Sequence, residues 1–329
     1  MTLTTGPDAG CTARAPAELS GVWSKIAERR SPASIFLTPE WTRVAREHDS
    51  AEAITLAVGD PPHGIAALAL DADGTMRFAG GELTDEQDVV ASADAAQQRA
   101  VATAVAGWMA SEAPRRVRLG FVPEDVPTLE AIATVLGSGG YRVERSRLIT
   151  SPRLRLPSDF ETYVQSLGKK ERHELRRKIR RLENATQATF RWASETERGA
   201  TLDRFFALHR LSRGEKADFM TPDVERFFRD IADALAPLGR LRLGVLRAHD
   251  EDAAVLFAFA YRGTLALYNA AYDPALASLS IGIVSHAWAI REAIGEHFDT
   301  YDLLRGDEPY KYDLGATDRW LGQLDAVRT

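Results

Sequence analysis

The chain has 329 residues, a net charge of -6 and a hydrophobic content of 45%, which fits two globular domains of ordinary size rather than one small core. The charge gives no overall basic field to draw in nucleic acid or a membrane surface, so any such partner has to be met by a local patch. The only cysteine is Cys11, which excludes an intramolecular disulfide and a cysteine-rich metal site. No apolar run approaches the ~20 residues of a membrane helix, and MTLTTGPDAGCTARAPAEL lacks the basic start and apolar stretch of a secretory signal. The expectation is a soluble, cytoplasmic protein.

Taken in chain order, AITLAVG from Ala53, GIAALAL and TMRFAGG read as three short strands broken by the turn segments DPPH and DADG. A helix is predicted over DAAQQRAVATAVAGWMASEA, then a strand RRVRLGFV, a helix VPTLEAIATVLG ended by glycines, and a strand YRVERSRLI. Next, SPRLRLPSDFETYVQSL carries two prolines and an extended pattern that suits a crossing strand or linker, with the boundary near Pro157. The helix GKKERHELRRKIRRLE then places Leu175, Ile179 and Leu182 at helical spacing and eight Lys and Arg residues between Lys169 and Arg181 on its other faces. A charge run of this kind is ordinarily a solvated face, and its functional reading is an anion-facing wall for phosphates or RNA.

The second half repeats the order of the first: RLRLGVLRA, AVLFAFAYR and TLALYNAAY, separated by HDED and RG, lead to a helix GIVSHAWAIREAIGEH and a strand FDTYDLL. This weak internal repeat suggests duplication of one α/β unit, with domains over 15–157 and 158–329. After Asn269, Ala270 and Ala271 at the end of the third strand, the loop DPALASLSIG runs into the helix at Ile283. A strand, a small-residue loop and a helix N-terminus in succession can cradle a phosphate, because backbone amides and the positive end of the helix point at the loop. Ser278, Ser280 and Gly282 can approach an anion there, although Ser and Gly are also simply good helix starters. The corresponding first-half loop, GGELTDEQDVVASAD, carries Glu82, Asp85, Glu86, Asp88 and Asp94 and no basic residue, so an anion would be repelled and a cationic acceptor could face it.

The stretch RGDEPYKYDLG leaves the last predicted strand beside that cradle, where ligands bind in α/β folds. With the end of that strand it offers Asp302 and Glu308 as bases, Tyr310 and Tyr312 as acids, and Arg305 and Lys311 as cations; a solvated loop laced by ion pairs is the competing interpretation. His209, His173 and His286 read as packed or surface histidines, and no metal-ligand spacing, GxSxG elbow, Walker motif or dinucleotide glycine fingerprint occurs.

The runs YNAAYDPALASLSIGIV and FDTYDLLRGDEPYKYDLG, with FLTPEW, LPSDFETYVQSLGKKERHELRRKIRRLE and FFALHRLSRGEKADF, resemble GNAT-type acetyltransferases of the cellulose-biosynthesis acetyltransferase-like group, akin to Fem-type aminoacyltransferases. The resemblance covers most of the chain. It implies an α/β (α+β) fold of two tandem GNAT-like domains, each a mixed, mostly antiparallel sheet flanked by helices. Two strands of the C-terminal domain would splay to admit acetyl-CoA or another acyl-CoA, without a metal. Its pyrophosphate would lie at Ser278, Ser280, Gly282 and Ile283, its thioester against the backbone of Asn269, Ala270 and Ala271. The implied activity is N-acyl transfer to an amine-bearing or small-molecule acceptor, with Tyr310 as acid, Asp302 or Glu308 as base, and Arg305 and Lys311 orienting carboxylates or substrate. The alternatives are a Fem-like transferase using aminoacyl-tRNA, which would recruit the basic helix, and a non-catalytic ligand-binding tandem protein; DNA is not an expected partner.

Overall fold

The computed structural model describes residues 10–212 and 218–329, which form two compact units, 10–149 together with Arg319–Thr329, and 150–212 together with 218–318. The cut expected at Pro157 therefore lies inside the second unit. The C-terminal segment expected in the second domain returns to the first.

The first unit opens with β1 (Cys11–Ala13), α1 (Pro16–Arg29) and α2 (Pro39–Glu47). Thr38 starts α2, its side chain accepting from the Trp41 amide with Pro39 in the first turn, the arrangement that satisfies the free amides of a helix start. The predicted meander follows as β2 (Glu52–Val58), β3 (Gly64–Leu70) and β4 (Thr75–Phe78). Then come α3 (Ala95–Glu112), started by the Asp94 carboxylate on the Ala96 amide, β5 (Arg116–Pro123), α4 (Thr128–Ser138) and β6 (Tyr141–Thr150). The sheet order is β1-β2-β3-β4-β5-β13-β6, where β13 is Trp320–Arg328. β4 and β5 run parallel, and β13 joins β5 antiparallel. Leu68, Val105, Leu119 and Leu324 are among the fully buried side chains of this core.

The second unit begins with the crossing segment, which forms β7 (Arg153–Arg155) and α5 (Phe160–Ser166). The basic run is α6 (Lys169–Ala185), with Leu175 and Leu182 buried as the spacing requires. β8 (Thr189–Trp192), α7 (Arg198–Leu211) and α8 (Pro222–Leu235) precede β9 (Leu241–Ala248), β10 (Glu251–Tyr261) and β11 (Thr264–Tyr272). The first hairpin turns through His249 and Asp250, both at positive φ, as a tight two-residue turn demands. The second turns at Gly263, φ +76°, where a Cβ would meet the Asp299 carboxylate at 2.5 Å. α9 (Ile281–Gly295), β12 (Thr300–Asp302) and α10 (Pro309–Asp313) complete the unit. The sheet order is β7-β12-β11-β10-β9-β8, with β11 and β12 parallel.

The order β2-β3-β4-α3-β5 thus recurs as β9-β10-β11-α9-β12, which is the repeat visible in the sequence. Each parallel pair is closed on its far side by a strand from elsewhere in the chain, β13 beside β5 and β7 beside β12.

Candidate active site in the second unit

β11 and β12 pair over three positions only, Thr264–Ala266 with Thr300–Asp302. On its other side β11 shifts register against β10: Leu267 faces Ala258, Asn269 faces Phe257, and Tyr268 between them is the extra residue of a bulge. A bulge bends its strand and raises the local twist, so β11 continues to Tyr272 away from β12. On the β12 side pairing with β11 ends at Asp302, with the Leu303 amide donating to Pro152 instead and Leu304 at φ +55°. The result is an opening between two parallel strands of one sheet.

At its far end the Asp273 carboxylate accepts from the Ala275 amide, residues Pro274–Leu279 form a single 3-10 segment, and Ser280, at φ +58°, swings the chain into α9 without a side-chain cap. Asn269, Ala270, Ala271, Ser278, Ser280, Gly282 and Ile283 therefore all border the strand end, loop and helix start, as their spacing predicted. Two details differ. Gly282 carries the ring of Tyr272 against it, 3.2 Å from where a Cβ would be, so its lack of a side chain serves that contact as well as any ligand. Arg181 of α6 donates to the Ser278 carbonyl at 2.8 Å, which brings the basic helix to the loop. Its position in the charge run was visible in the sequence; its destination was not.

The loop 303–315 is held mainly from within. Lys311 is buried, and its ammonium donates to the carbonyls of Leu304 at 3.1 Å, Arg305 at 2.7 Å and Gly306 at 3.2 Å while pairing with Glu308 at 2.9 Å. Those contacts consume its donors, so Lys311 fixes the loop rather than reaching a substrate. Gly306, at φ +113°, makes the turn that lets the carbonyls converge. Asp302 is buried, with one oxygen 3.1 Å from Arg153 Nη2 and the other accepting from the Leu304 amide at 2.9 Å. It is committed to the strand end, which leaves Glu308, whose side chain is 55% exposed, as the carboxylate better placed to take a proton. Arg305 is half-buried. Tyr312 is exposed and donates to Asp318 at 2.7 Å.

Tyr310 lies stacked on His286 of α9, ring centroids 5.1 Å apart and planes 14° from parallel. Burial, reinforced by the neighbouring Glu308 charge, pushes its phenol well above the usual range. Tyr310 therefore stays protonated at neutral pH. Tyr301 on β12 is fully buried, its hydroxyl without a hydrogen-bond partner among the described residues. Burial, then the adjacent Tyr310 and Tyr163, raise its phenol too.

On the opposite face of the sheet, His209 of α7 donates from Nε2 to the Asn269 side-chain oxygen at 2.7 Å. His209 is 1% exposed and sits edge-on to Phe205 at 4.9 Å. Sequence reading set His209 aside as a packed histidine. Packed it is, but against the one polar side chain at the bulge. The hint was its place in FFALH, a buried helical register among aromatics where a polar ring needs a partner.

The first unit has the same parallel pair, β4 and β5, joined at Thr75 and Met76 with Arg116 and Val117. Here the chain itself enters the opening: the Gln87 amide donates to Phe121 of β5 at 3.0 Å, and its side chain donates to the Gly81 carbonyl at 2.8 Å. The flanking acids are buried and paired, Glu86 with Arg319 and Asp88 with Arg30. Burial pushes the Asp88 carboxyl up while Arg30 opposes it. Asp94 caps α3. The acidic loop is therefore not a surface field awaiting a cation: Glu86, Asp88 and Asp94 are used internally.

Two units repeat one arrangement, a parallel strand pair joined through a helix. Residues 169–312 match the family described as Acetyltransferase (GNAT) domain. No curated protein matches the chain by sequence. Among solved structures, FemX superposes with a TM-score of 0.67 at 12% identity, covering 96% of each chain. L-PGS from Bacillus licheniformis gives 0.54 at 12%, covering 88% of this chain and 91% of its own. A tandem GNAT protein from the clavulanic acid biosynthesis pathway, solved without AcCoA, gives 0.51 at 11%, covering 95% and 97%. Residues 169–312 thus carry the match to the GNAT domain, and the chain as a whole shares its fold with FemX and with the tandem GNAT protein. Among the described residues no group of three or more His, Cys, Asp or Glu is placed to hold a metal, and no helix is long and apolar enough to cross a membrane.

Proposed function

We propose that the second unit transfers an acyl group from acetyl-CoA or another acyl-CoA to the amine of an acceptor, in the cytoplasm. The observation that carries this reading is the opening between β11 and β12 that ends on the start of α9, with Arg181 tied to the intervening loop. Anionic phosphates suit such a place, where helix amides and a guanidinium converge; Ser278, Ser280, Gly282 and Ile283 would hold them. The thioester supplies an electrophilic carbonyl, and the backbone of Asn269 to Ala271 lies along the strand edge against which it would rest.

In the transfer, a C–N bond forms and the C–S bond breaks. Glu308, directly or through water, takes the proton the amine gives up. Tyr310, kept protonated by burial, donates a hydrogen bond to the departing thiolate; Asp302, Lys311 and Arg305 hold the strand end and loop that carry these two groups. The first unit serves as a partner domain without a cofactor, since its own chain occupies the equivalent opening.

A second reading, aminoacyl transfer from tRNA, is favoured by the exposed Lys169, Lys170 and Arg180 on the helix that bears Arg181. A thermal-shift series with acetyl-CoA, longer acyl-CoAs and bulk tRNA separates the two, because a ligand that binds only the folded state raises Tm. Stabilisation by CoA esters alone supports the first. Stabilisation by tRNA alone replaces it with the second.

A further inference from the structure

We propose that Asn269, oriented by His209, is a side-chain donor to the acyl carbonyl, a role that rests on the acyl-CoA reading above. The bulge at Tyr268 is what places it. In a regular strand successive side chains alternate between faces, but here Tyr268 packs among Phe228, Phe257 and Phe259 and the next residue, Asn269, turns to the same face to meet His209. Asn269 also lies beyond Ala266, the last residue that pairs with β12, so its carboxamide stands where the two strands have parted.

A carboxamide has one acceptor oxygen and two N–H donors. The oxygen of Asn269 is taken by His209, and its amide hydrogens make no hydrogen bond among the described residues. His209 therefore does more than fill space: by donating to the oxygen it fixes which end of the carboxamide turns towards the opening, and that end is the donor end. Phe205, 4.9 Å from the imidazole, and the surrounding core leave His209 1% exposed, so the ring that holds the carboxamide oxygen is itself fixed by packing. A pair of oriented N–H donors next to a parted strand edge selects an oxygen acceptor, and within the proposed reaction that oxygen is the thioester carbonyl, which gains negative charge when the amine adds. Asn269 touches the reacting group; His209 positions it.

The test compares CoA, which has no acyl carbonyl, with acetyl-CoA by calorimetry on the full chain and four variants: Asn269→Ala, Asn269→Ser, His209→Leu and His209→Gln. CoA should bind the wild type and all folded variants within about twofold, because its phosphates are held elsewhere. The preference for acetyl-CoA over CoA should fall about three- to tenfold in Asn269→Ala and His209→Leu, the worth of one hydrogen bond, and should be largely kept in His209→Gln, whose amide can donate to the same oxygen. A second measurement reads the hydrogen bond directly: the carbonyl stretch of acetyl-CoA labelled with carbon-13 at the carbonyl should shift to lower frequency on binding the wild type, and in Asn269→Ser, or Asn269→Ala if that folds, part of the shift should vanish. An unshifted carbonyl in the wild type, or an unchanged acetyl-CoA preference in folded Asn269 variants that still bind CoA, overturns the role of Asn269 while leaving the CoA reading standing. If CoA and acetyl-CoA both fail to bind the wild type, the acyl-CoA reading falls and this inference falls with it.

Discussion

The two units carry the same parting of two parallel strands and use it in opposite ways. In the first, residues 86–88 are drawn in beside β5 and locked by the buried Arg30–Asp88 and Arg319–Glu86 pairs. In the second, the equivalent segment is a short turn, Pro274–Leu279, that stays at the margin and delivers the chain to α9. What differs is the length and chemistry of one connection. A longer connection can close such an opening by satisfying the sheet edge from within, with the strand order around it unchanged.

The largest effect expected from breaking this contrast is in the first unit. Asp88→Ala leaves Arg30 buried without its carboxylate, and a broken buried pair costs about 3–5 kcal/mol; guanidinium denaturation should show the loss. A change below about 1 kcal/mol would mean that the segment is not held by this pair.

Next in size is Tyr310→Phe in the second unit, which should lower kcat by about 100-fold with the acyl-CoA dissociation constant almost unchanged, because the hydroxyl acts mainly in the transition state. Steady-state kinetics with an identified acceptor checks it. Tyr312→Phe, which removes only a surface bond to Asp318, should be mild, and a reversal of the two would move the donor role to Tyr312.

A smaller effect sharpens the cradle itself. Gly282→Asp should weaken acetyl-CoA binding about tenfold by placing a carboxylate at the helix start, while Gly282→Ala should cost less, because the exposed ring of Tyr272 can give way. Calorimetry distinguishes them, and equal affinity in Gly282→Asp removes the cradle from the argument. The smallest effect is the control: Asp85→Asn in the first unit should leave acetyl-CoA affinity within about twofold, since the ligand is assigned to the second unit and an exposed charge is screened by salt. A collapse of affinity there would assign the ligand to the wrong unit.

Much of the fold was legible because the strand runs alternate or stay apolar and their turns are punctuated by Gly, Pro and Asp: the meanders, α3, α4, α9 and the repeated order all fall where residue pattern placed them. The exchange of β7 and β13 was not legible. A strand's sequence records that it is half-buried, not which sheet it joins, so WLGQLDAVR carries no mark of pairing with RVRLGFVP. Within the site, the loop before α9 was readable from its small residues. The roles of Asp302, Lys311 and His209 were not, since a charge that staples carbonyls and a charge that meets substrate look alike until their partners are known. The acidic loop misled for the same reason: Arg30 and Arg319, which neutralise Asp88 and Glu86, stand 58 and 233 residues away in the chain.

The placement of β13 has a consequence for how the chain is made. Arg116 of β5 is paired with Asp325 of β13 across 209 residues of sequence, so the first sheet remains open at β5 while the entire second unit is being synthesised. At the ribosome's usual pace of about 5–20 residues per second, that is a wait of roughly 10–40 s. During it the edge of β5 is available to other strands, a known route to aggregation, and closure of so distant a pairing is slow by its nature. The unit that is translated first thus cannot complete its sheet until the last strand has been made.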